Sequence, residues 1–454
     1  MLFQLPSFLI FLILFAILLP VVQGRLRLPY VVVASLIFYA WWYPPYTLLL
    51  VGLVVLSWVG ARMVSEHPEW LPTLIVVALM PLLLFKYTDF VLASLQFFIG
   101  ADLPRLGWHL PLGISFVTFT IVSLLVDTTR RGDNGSPGFW DTAAYITFFP
   151  HLIAGPILRA GQTLPQMAAL RLDRSNIGPN LALFAVGIMK KVLIADPIGA
   201  YVDQVYGVTG QVGGLMALLA VVGFSIQIYC DFSAYSDMAI ALAGMFGVRF
   251  PENFRSPYLS WSFAELWRRW HMTLTLWLRD YVFYPLYGEM GRRFGHIAIV
   301  ATMLVSGLWH GAAWTFVAWG GVHGLLLVVE NLTGYRRFSA RLRTVGKILC
   351  GAGVFVVWSL VSILFRAQDW RTVSNLLEAT FGLHGWSPWP TNGTQILLLV
   401  AVTLTLHRFD QVDRIRNAVR RLPAAVYVPI ILAAIIGCSM LAAGRPQKFY
   451  YFDF

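Results

Sequence analysis

The apolar positions of this chain fall in sustained runs, at 6–22, 215–229, 297–320 and 424–443. Runs of that kind suit helices crossing a hydrocarbon core of about 30 Å. The two-residue alternation of an outer-membrane barrel is absent, so the pattern predicts an all-α, polytopic membrane protein. Apolar segments can be marked near 6–23, 28–42, 46–61, 71–99, 110–127, 140–155, 178–195, 213–230, 234–248, 260–278, 295–333, 347–366, 394–407 and 424–443. Of these about 14, about 11–13 are expected to be membrane helices, because several fall short of the ~20 residues of a full span. Pro and Gly break some of them, as in Trp41-Trp42-Tyr43-Pro44-Pro45 and Phe149-Pro150-His151-Leu152-Ile153-Ala154-Gly155-Pro156. A broken helix at membrane depth survives only where protein or a wet cavity covers the freed backbone groups, which predicts an internal space. No internal repeat or domain-separating linker interrupts the pattern, and 1–454 is expected to form a single membrane domain with a short tail at 443–454.

Composition strengthens this picture. Of 454 residues, 58% are hydrophobic and only 12% charged, with a mean hydropathy of +0.70. A soluble domain carries about 25% charged residues. The net charge of +11 resides in short clusters such as Arg336, Arg337, Arg341, Arg343 and Lys347; these read as topology signals, and no nucleic-acid footprint is needed. The first apolar run has no Lys or Arg before it, and Arg25 and Arg27 follow it. It therefore reads as a retained helix with the N-terminus outside, not as a cleaved signal. Basic loops at 336–347 and 408–421 are expected in the cytoplasm, which places the 443–454 tail outside. Cys230, Cys350 and Cys438 show no CxxC or metal-ligand spacing and are expected to be packing residues, so neither a metal nor a redox centre is predicted.

Candidate chemistry concentrates in two places. The polar segment 248–293 holds seven arginines interleaved with Trp and Tyr. Guanidinium forks suit phosphate, so Arg268, Arg269 and Arg279 are candidate contacts for a phosphorylated donor; a positive-inside loop with aromatic anchors is the competing reading. The second is Ser306-Gly307-Leu308-Trp309-His310-Gly311, inside the 297–320 run. Read as one span, the run puts His310 near the midplane, with Ser306 and Trp314 on the same helix face. An ionisable residue at that depth points to function, and Gly307 and Gly311 would let a backbone or a thin ligand approach closely. A histidine hydrogen-bonded between helices is the alternative. Asp231 and Asp237, at an expected junction of two helices, are read as caps or arginine partners, and His151 as lining an internal space or as a structural histidine.

These residues together resemble one family. Tyr229-Cys230-Asp231-Phe232-Ser233-Ala234-Tyr235-Ser236-Asp237, Asn253-Phe254, Pro257-Tyr258, 267–278, Arg279-Asp280-Tyr281 and 306–311, with 111–127 and 148–159, are similar to the membrane-bound O-acyltransferases. The likeness is greatest to the bacterial branch that contains the alginate O-acetylation and teichoic-acid D-alanylation membrane subunits. The resemblance implies a ring of helices around a central tunnel, with His310 at the invariant histidine position and His271 at the second polar one. His310 would then act as general base on an alcohol, and His271 would orient the donor thioester or polarise its carbonyl. Asn253 and Trp309 join the three arginines as candidate donor contacts. The implied donor is a cytoplasmic acyl thioester, acetyl-coenzyme A or a phosphopantetheinyl carrier, with no tightly bound cofactor. The implied acceptor is an exopolysaccharide or cell-wall polymer, directly or through an extracytoplasmic partner enzyme, at the bacterial inner membrane. The aromatic ending Phe449-x-Tyr451-x-x-Phe454 resembles that of small partner proteins of the D-alanylation machinery, which would make Tyr451 an acyl relay; an interfacial anchor or docking peptide is the alternative. A transporter, or a structural subunit of an export complex, competes with the whole reading.

Overall fold

The computed structural model describes residues 2–100, 102–131 and 135–453, without the side chains of Arg292 and Asp453. Among the described residues the regular structure is entirely helical. Six helices among the described residues are long and apolar enough to cross a membrane: Pro45–Glu66, Pro68–Ile99, Gly214–Met245, Trp314–Leu332, Thr344–Arg366 and Ala424–Gly444. Pro6–Leu18, Gly295–His310 and Gly393–Phe409 are shorter apolar helices. The chain is a multi-pass membrane protein.

Its helices sort into two compact units, one comprising 1–185, 235–251 and 422–454, the other 186–234 and 252–421. The first unit packs an aromatic cluster. Phe149 meets Phe11 and Phe15 edge-on, each at 5.2 Å between centroids, and the same unit buries the broken segment 148–158. That irregular backbone is covered by protein, as lipid demands. Ser35 Oγ accepts from the Phe149 amide at 3.1 Å, Tyr145 Oη donates to the Leu158 carbonyl at 2.9 Å, and His151 Nε2 donates to the Tyr145 carbonyl at 2.8 Å. His151 is thus a structural histidine that closes a loop.

Two sequence-based expectations change. The 297–320 run is not one span: it folds as a hairpin, Gly295–His310 then Trp314–Leu332. His310 is the last residue of its helix, and Trp314 belongs to the next one. The hydropathy of Trp309-His310-Gly311-Ala312-Ala313-Trp314 is continuous and contains no proline, so the turn is invisible to apolar run length. What fixes it is close packing. A Cβ at Gly307 would lie 2.2 Å from the Phe316 carbonyl oxygen, and one at Gly320 would lie 2.2 Å from that of Met303. The glycines admit a neighbouring backbone, not a ligand. Conversely, 213–230 and 234–248 are one continuous helix, Gly214–Met245. Asp231 and Asp237 sit inside it and are not caps; Asp231 pairs with Lys191 at 2.6 Å. Lys191 also meets Asp196 at 2.8 Å, and Lys190 meets Asp410 at 3.0 Å. Buried charges survive only when paired in this way.

Since a β-carbon at Gly320 would overlap backbone, Gly320→Ala should force the hairpin apart and destabilise the protein by about 1–3 kcal/mol or more, as overpacking does. Gly437→Ala, where a β-carbon meets nothing within 4 Å, serves as control. Thermal melting of both variants in the same detergent checks this, and equal melting temperatures would refute the backbone-contact account.

Candidate active site

The second unit builds its site from two short, unusual pieces of backbone. The first is the helix Phe263–Trp267, five residues long and marginal by itself. Its first turn is stabilised at every amide. Ser262 Oγ accepts from the Glu265 amide at 3.1 Å, while Glu330 accepts from the amides of Phe263 at 2.6 Å and Ala264 at 2.9 Å. These bonds satisfy three of the orphan donors of a helix start. The residues that follow, Trp267 to Trp270, are thereby held against the Trp314–Leu332 and Thr344–Arg366 helices: Trp267 packs on Trp319 at 5.8 Å and Trp270 on Trp358 at 4.7 Å.

The second piece is His271, which precedes the helix Met272–Leu278 in the left-handed region at φ 41°. A non-glycine residue held there is strained, and such strain gathers at functional sites. Asn253 holds it. The Asn253 carboxamide oxygen accepts from the Thr273 amide at 3.2 Å and the Thr273 hydroxyl at 2.9 Å, and lies 3.1 Å from His271 Nδ1. The Asn253 carbonyl also accepts from the Met272 amide at 2.8 Å. Because a backbone amide can only donate, the atom facing it must be the carboxamide oxygen. His271 Nδ1 therefore donates to that oxygen. In the neutral ring the proton is on Nδ1, and Nε2 carries the lone pair.

His310 comes to the same place from the hairpin turn. The two imidazole centroids are 6.3 Å apart, with Trp309 at 5.9 Å from His271 and 4.9 Å from His310. Trp319 and Phe365 wall His310 at 5.2 and 5.1 Å, and Phe232 closes on His271 at 4.6 Å. Asn253 and His271 are fully buried, and His310 and Trp309 nearly so. Two imidazoles in a dry, aromatic-walled space can move a proton between hydroxyl and thiol groups, where electrostatic contacts count for more than in water.

The arginines divide. Arg269 Nε donates to Glu265 at 2.7 Å and Arg268 pairs with the same carboxylate. Burial alone would raise the Glu265 carboxyl, yet the hydrogen bonds and charges of Arg269 and Arg268 override it and hold it below its usual range. These two arginines thus support the fold of the segment. Arg279 donates to Asp280 at 2.7 Å and lines a cleft of about 220 Å³ together with Trp267, Thr302 and Ser306. Ser306 lies one turn before His310 on the same helix.

Tyr451 belongs to the other unit. It is buried in the turn Tyr450–Asp453, and Phe449 beside it packs edge-on against Tyr235 at 5.1 Å. Gln4 Nε2 donates to the Gln447 carbonyl at 2.9 Å. The tail is docked on its own chain. Phe454 of the aromatic pattern lies outside the described residues. Sequence reasoning missed Glu330 and Phe365, whose parts depend on contacts far along the chain, and Glu265, whose i,i+3 and i,i+4 spacing to Arg268 and Arg269 was a signal that could have found it.

The model of the membrane-bound O-acyltransferase family matches residues 124–365, which include both histidines, Asn253, Trp309 and the three arginines but not Tyr451. The probable alginate O-acetylase of Pseudomonas aeruginosa is 36% identical over 394 residues, 84% of this chain and 75% of the relative. The peptidoglycan O-acetyltransferase of Helicobacter pylori is 32% identical over 394 residues, 79% of this chain and 74% of the relative. The teichoic acid D-alanyltransferase of Bacillus subtilis is 27% identical over 231 residues, 48% of this chain and 58% of the relative.

Nitrogen NMR of selectively labelled histidine checks the tautomer. His271 should show the Nδ1-protonated form, and Asn253→Ala should shift it toward the Nε2-protonated form that predominates in solution. A His271 signal indifferent to Asn253→Ala would contradict the assignment.

Proposed function

Because the chain belongs to the membrane-bound O-acyltransferase family, we propose that this enzyme carries an acetyl group from a cytoplasmic thioester to a hydroxyl of an extracytoplasmic polysaccharide. The buried pair His271 and His310, 6.3 Å apart, is the observation that carries the chemistry. Relatives named for alginate and peptidoglycan O-acetylation support a polysaccharide acceptor. An alcohol is a poor nucleophile near neutral pH, and an imidazole within reach of its proton corrects that.

In this reading His310 takes the hydroxyl proton as the oxygen attacks the thioester carbonyl. The carbon–oxygen bond forms, the carbon–sulfur bond breaks, and the proton passes from the imidazole to the departing thiolate. His271 presents an acceptor at Nε2, which fits orienting the donor through an amide N–H of its arm. Polarising the thioester carbonyl would require a donor, and the tautomer set by Asn253 does not supply one. The cleft beside Arg279 suits entry of the donor arm, with Arg279 near its phosphate. Acetyl-coenzyme A or a phosphopantetheinyl carrier would serve equally. The membrane is the bacterial inner membrane, with both termini outside. Tyr451, carrying a hydroxyl in the docked tail on that outer side, is the candidate intermediate acceptor.

Incubation of the purified chain with labelled acetyl-coenzyme A tests the reading. Wild type should release thiol and label the C-terminal peptide at Tyr451, and His310→Ala should lower thiol release by about 10²–10⁴, the usual worth of a general base. More than a tenth of wild-type rate in that variant would remove His310 as base, and an unlabelled peptide would remove the relay. Donor kinetics separate the arginines. Arg279→Ala should raise KM for the donor with kcat little changed, the mark of uniform binding. Arg268→Ala, which removes one of the two guanidinium groups on the Glu265 carboxylate, should instead lower the amount of folded protein. The reverse pattern would invert these roles.

A further inference from the structure

The second unit has a narrow groove that the acyl chemistry does not use. It encloses about 220 Å³ and is lined by Val186, Ile194, Leu406, Phe409 and Ile415, together with the polar residues Lys190, His407 and Asp410. The charges in it are already matched. Asp410 accepts from Lys190 Nζ at 3.0 Å and from Tyr229 Oη at 2.6 Å, and His407 Nε2 accepts from the Tyr258 amide at 3.0 Å. What the groove offers a ligand is therefore its apolar wall. Met189, Leu193, Leu406 and Phe409, on and beside that wall, are exposed. On a multi-pass membrane protein such side chains face hydrocarbon. Acyl chains are the solvent there, and one laid in the groove gains dispersion contacts along its lining.

Ile415 belongs to the short helix Val412–Arg420. Val412, Ile415 and Val419 recur on one face of it, Val412 buried and the other two half-buried, whereas Arg414 and Arg420 are exposed. Across 411–421 the sequence sets four arginines against one aspartate. A helix with one apolar face and a cationic remainder lies in the membrane interface, its apolar side toward the acyl chains and its cations among the headgroups. Arg408 joins it from the end of the helix Gly393–Leu406: Arg414 Nη1 donates to the Arg408 carbonyl at 2.7 Å, which brings two exposed arginines together beside the groove. Guanidinium forks suit a phosphodiester, and basic pockets of this kind at a membrane surface take anionic headgroups.

We propose that the groove holds one anionic glycerophospholipid, an acyl chain against Val186, Ile194 and Ile415 and the phosphate at Arg408 and Arg414, and that this lipid braces the candidate site. The turn 407–412 bordering the groove grips the segment 252–258 by three bonds: the Tyr258 amide to His407 Nε2, Gln411 Nε2 to Ser256 Oγ at 3.3 Å, and the Val412 amide to Glu252 at 3.2 Å. Ser256, at φ 46°, is with His271 one of two non-glycine residues at positive φ among the described residues. Strain of that kind persists only where its surroundings enforce it. Asn253, which fixes His271, lies in the same segment. Such a lipid site is independent of the acyl-transfer reading, since it needs only the groove, the arginines and a bilayer.

Native mass spectrometry of the full chain in a non-ionic detergent, titrated with phosphatidylglycerol or phosphatidylcholine, tests the binding. Phosphatidylglycerol should be retained at one copy and about tenfold or more tighter than phosphatidylcholine, and Arg408→Gln/Arg414→Gln should bring the two lipids level. Arg25→Gln/Arg27→Gln, an equal loss of charge in the first unit, should leave the preference intact. Glycerol phosphate, which carries the anion without the chains, should not displace the lipid at matched concentration. Amide hydrogen exchange in nanodiscs tests the bracing: segments 252–258 and 407–412 should exchange more slowly with phosphatidylglycerol than with phosphatidylcholine in the wild type, and alike in Arg408→Gln/Arg414→Gln. Both substituted side chains are exposed, and the variant's melting temperature in phosphatidylcholine, expected to equal that of the wild type, shows that it is folded. Equal retention of the two lipids, a preference that survives Arg408→Gln/Arg414→Gln or is lost in Arg25→Gln/Arg27→Gln, displacement by glycerol phosphate, or exchange in 252–258 indifferent to lipid charge would each overturn the proposal.

Discussion

The geometry of the candidate site depends on two helices touching backbone to backbone. In lipid, apolar side chains gain nothing by leaving the solvent, so helices associate through close packing and hydrogen bonds. The Gly295–His310 and Trp314–Leu332 helices meet through Gly307, Gly320 and Gly324, where added β-carbons would fall 2.2, 2.2 and 3.0 Å from the backbone of the opposite helix. That contact makes the three-residue turn 311–313 possible, with Gly311 extended at φ −161°. It also ends the first helix at His310 and leaves the imidazole against Trp319 and Phe365. A straight span would have carried His310 past this position on an unbroken helix, away from a turn that can present it.

The same solvent makes a buried polar group costly unless it is partnered. Glu330 illustrates the economy of the solution, because one carboxylate on a long apolar helix satisfies two amides at the start of the five-residue helix Phe263–Trp267. Asn253 does likewise for His271 and Thr273. Lys191 is set between Asp196 and Asp231. The Glu330 and Asn253 arrangements fix irregular backbone in the segment that carries His271, so the polar contacts that make the segment foldable also orient its candidate groups.

Much of this was legible in the chain. Long apolar runs reveal a helical membrane protein, because a bilayer imposes a length that no soluble helix needs. The histidines stand out because ionisable groups are few in such runs. Local pattern misled where tertiary contact decided the outcome. The 297–320 run hides a hairpin, since Ala312 and Ala313 are as apolar as the helices they separate and only the glycine contacts with the facing helix select the turn. Asp231 looks like a break in a helix, and it is an interior residue neutralised by Lys191, 40 positions away in sequence. Arg268 and Arg269 look like an anion site, and Glu265 three and four residues earlier engages both. Asn253 attracts notice as a polar residue in a recognisable motif, but its grip on the left-handed His271 can be read only from coordinates.

The choice of an amide at position 253 bears on the chemistry. A carboxylate accepting from His271 Nδ1 would stabilise an imidazolium, as the aspartate of a serine hydrolase does. An amide oxygen gives the same orientation without a fixed negative charge. In a fully buried site a net charge is costly unless paired, and the proposed reaction begins with a neutral alcohol and a neutral thioester and ends with a neutral ester and a thiol. A site with two neutral imidazoles need hold charge only while the proton is in transit from oxygen to sulfur. It then returns to neutrality by itself, with no counter-ion to be buried or expelled in each cycle. In the proposed reaction the pairing of an amide-held histidine with a second histidine suits a low-dielectric site, and three carboxylates of the second unit are engaged by basic partners, Asp231 with Lys191, Asp410 with Lys190 and Glu265 with Arg269.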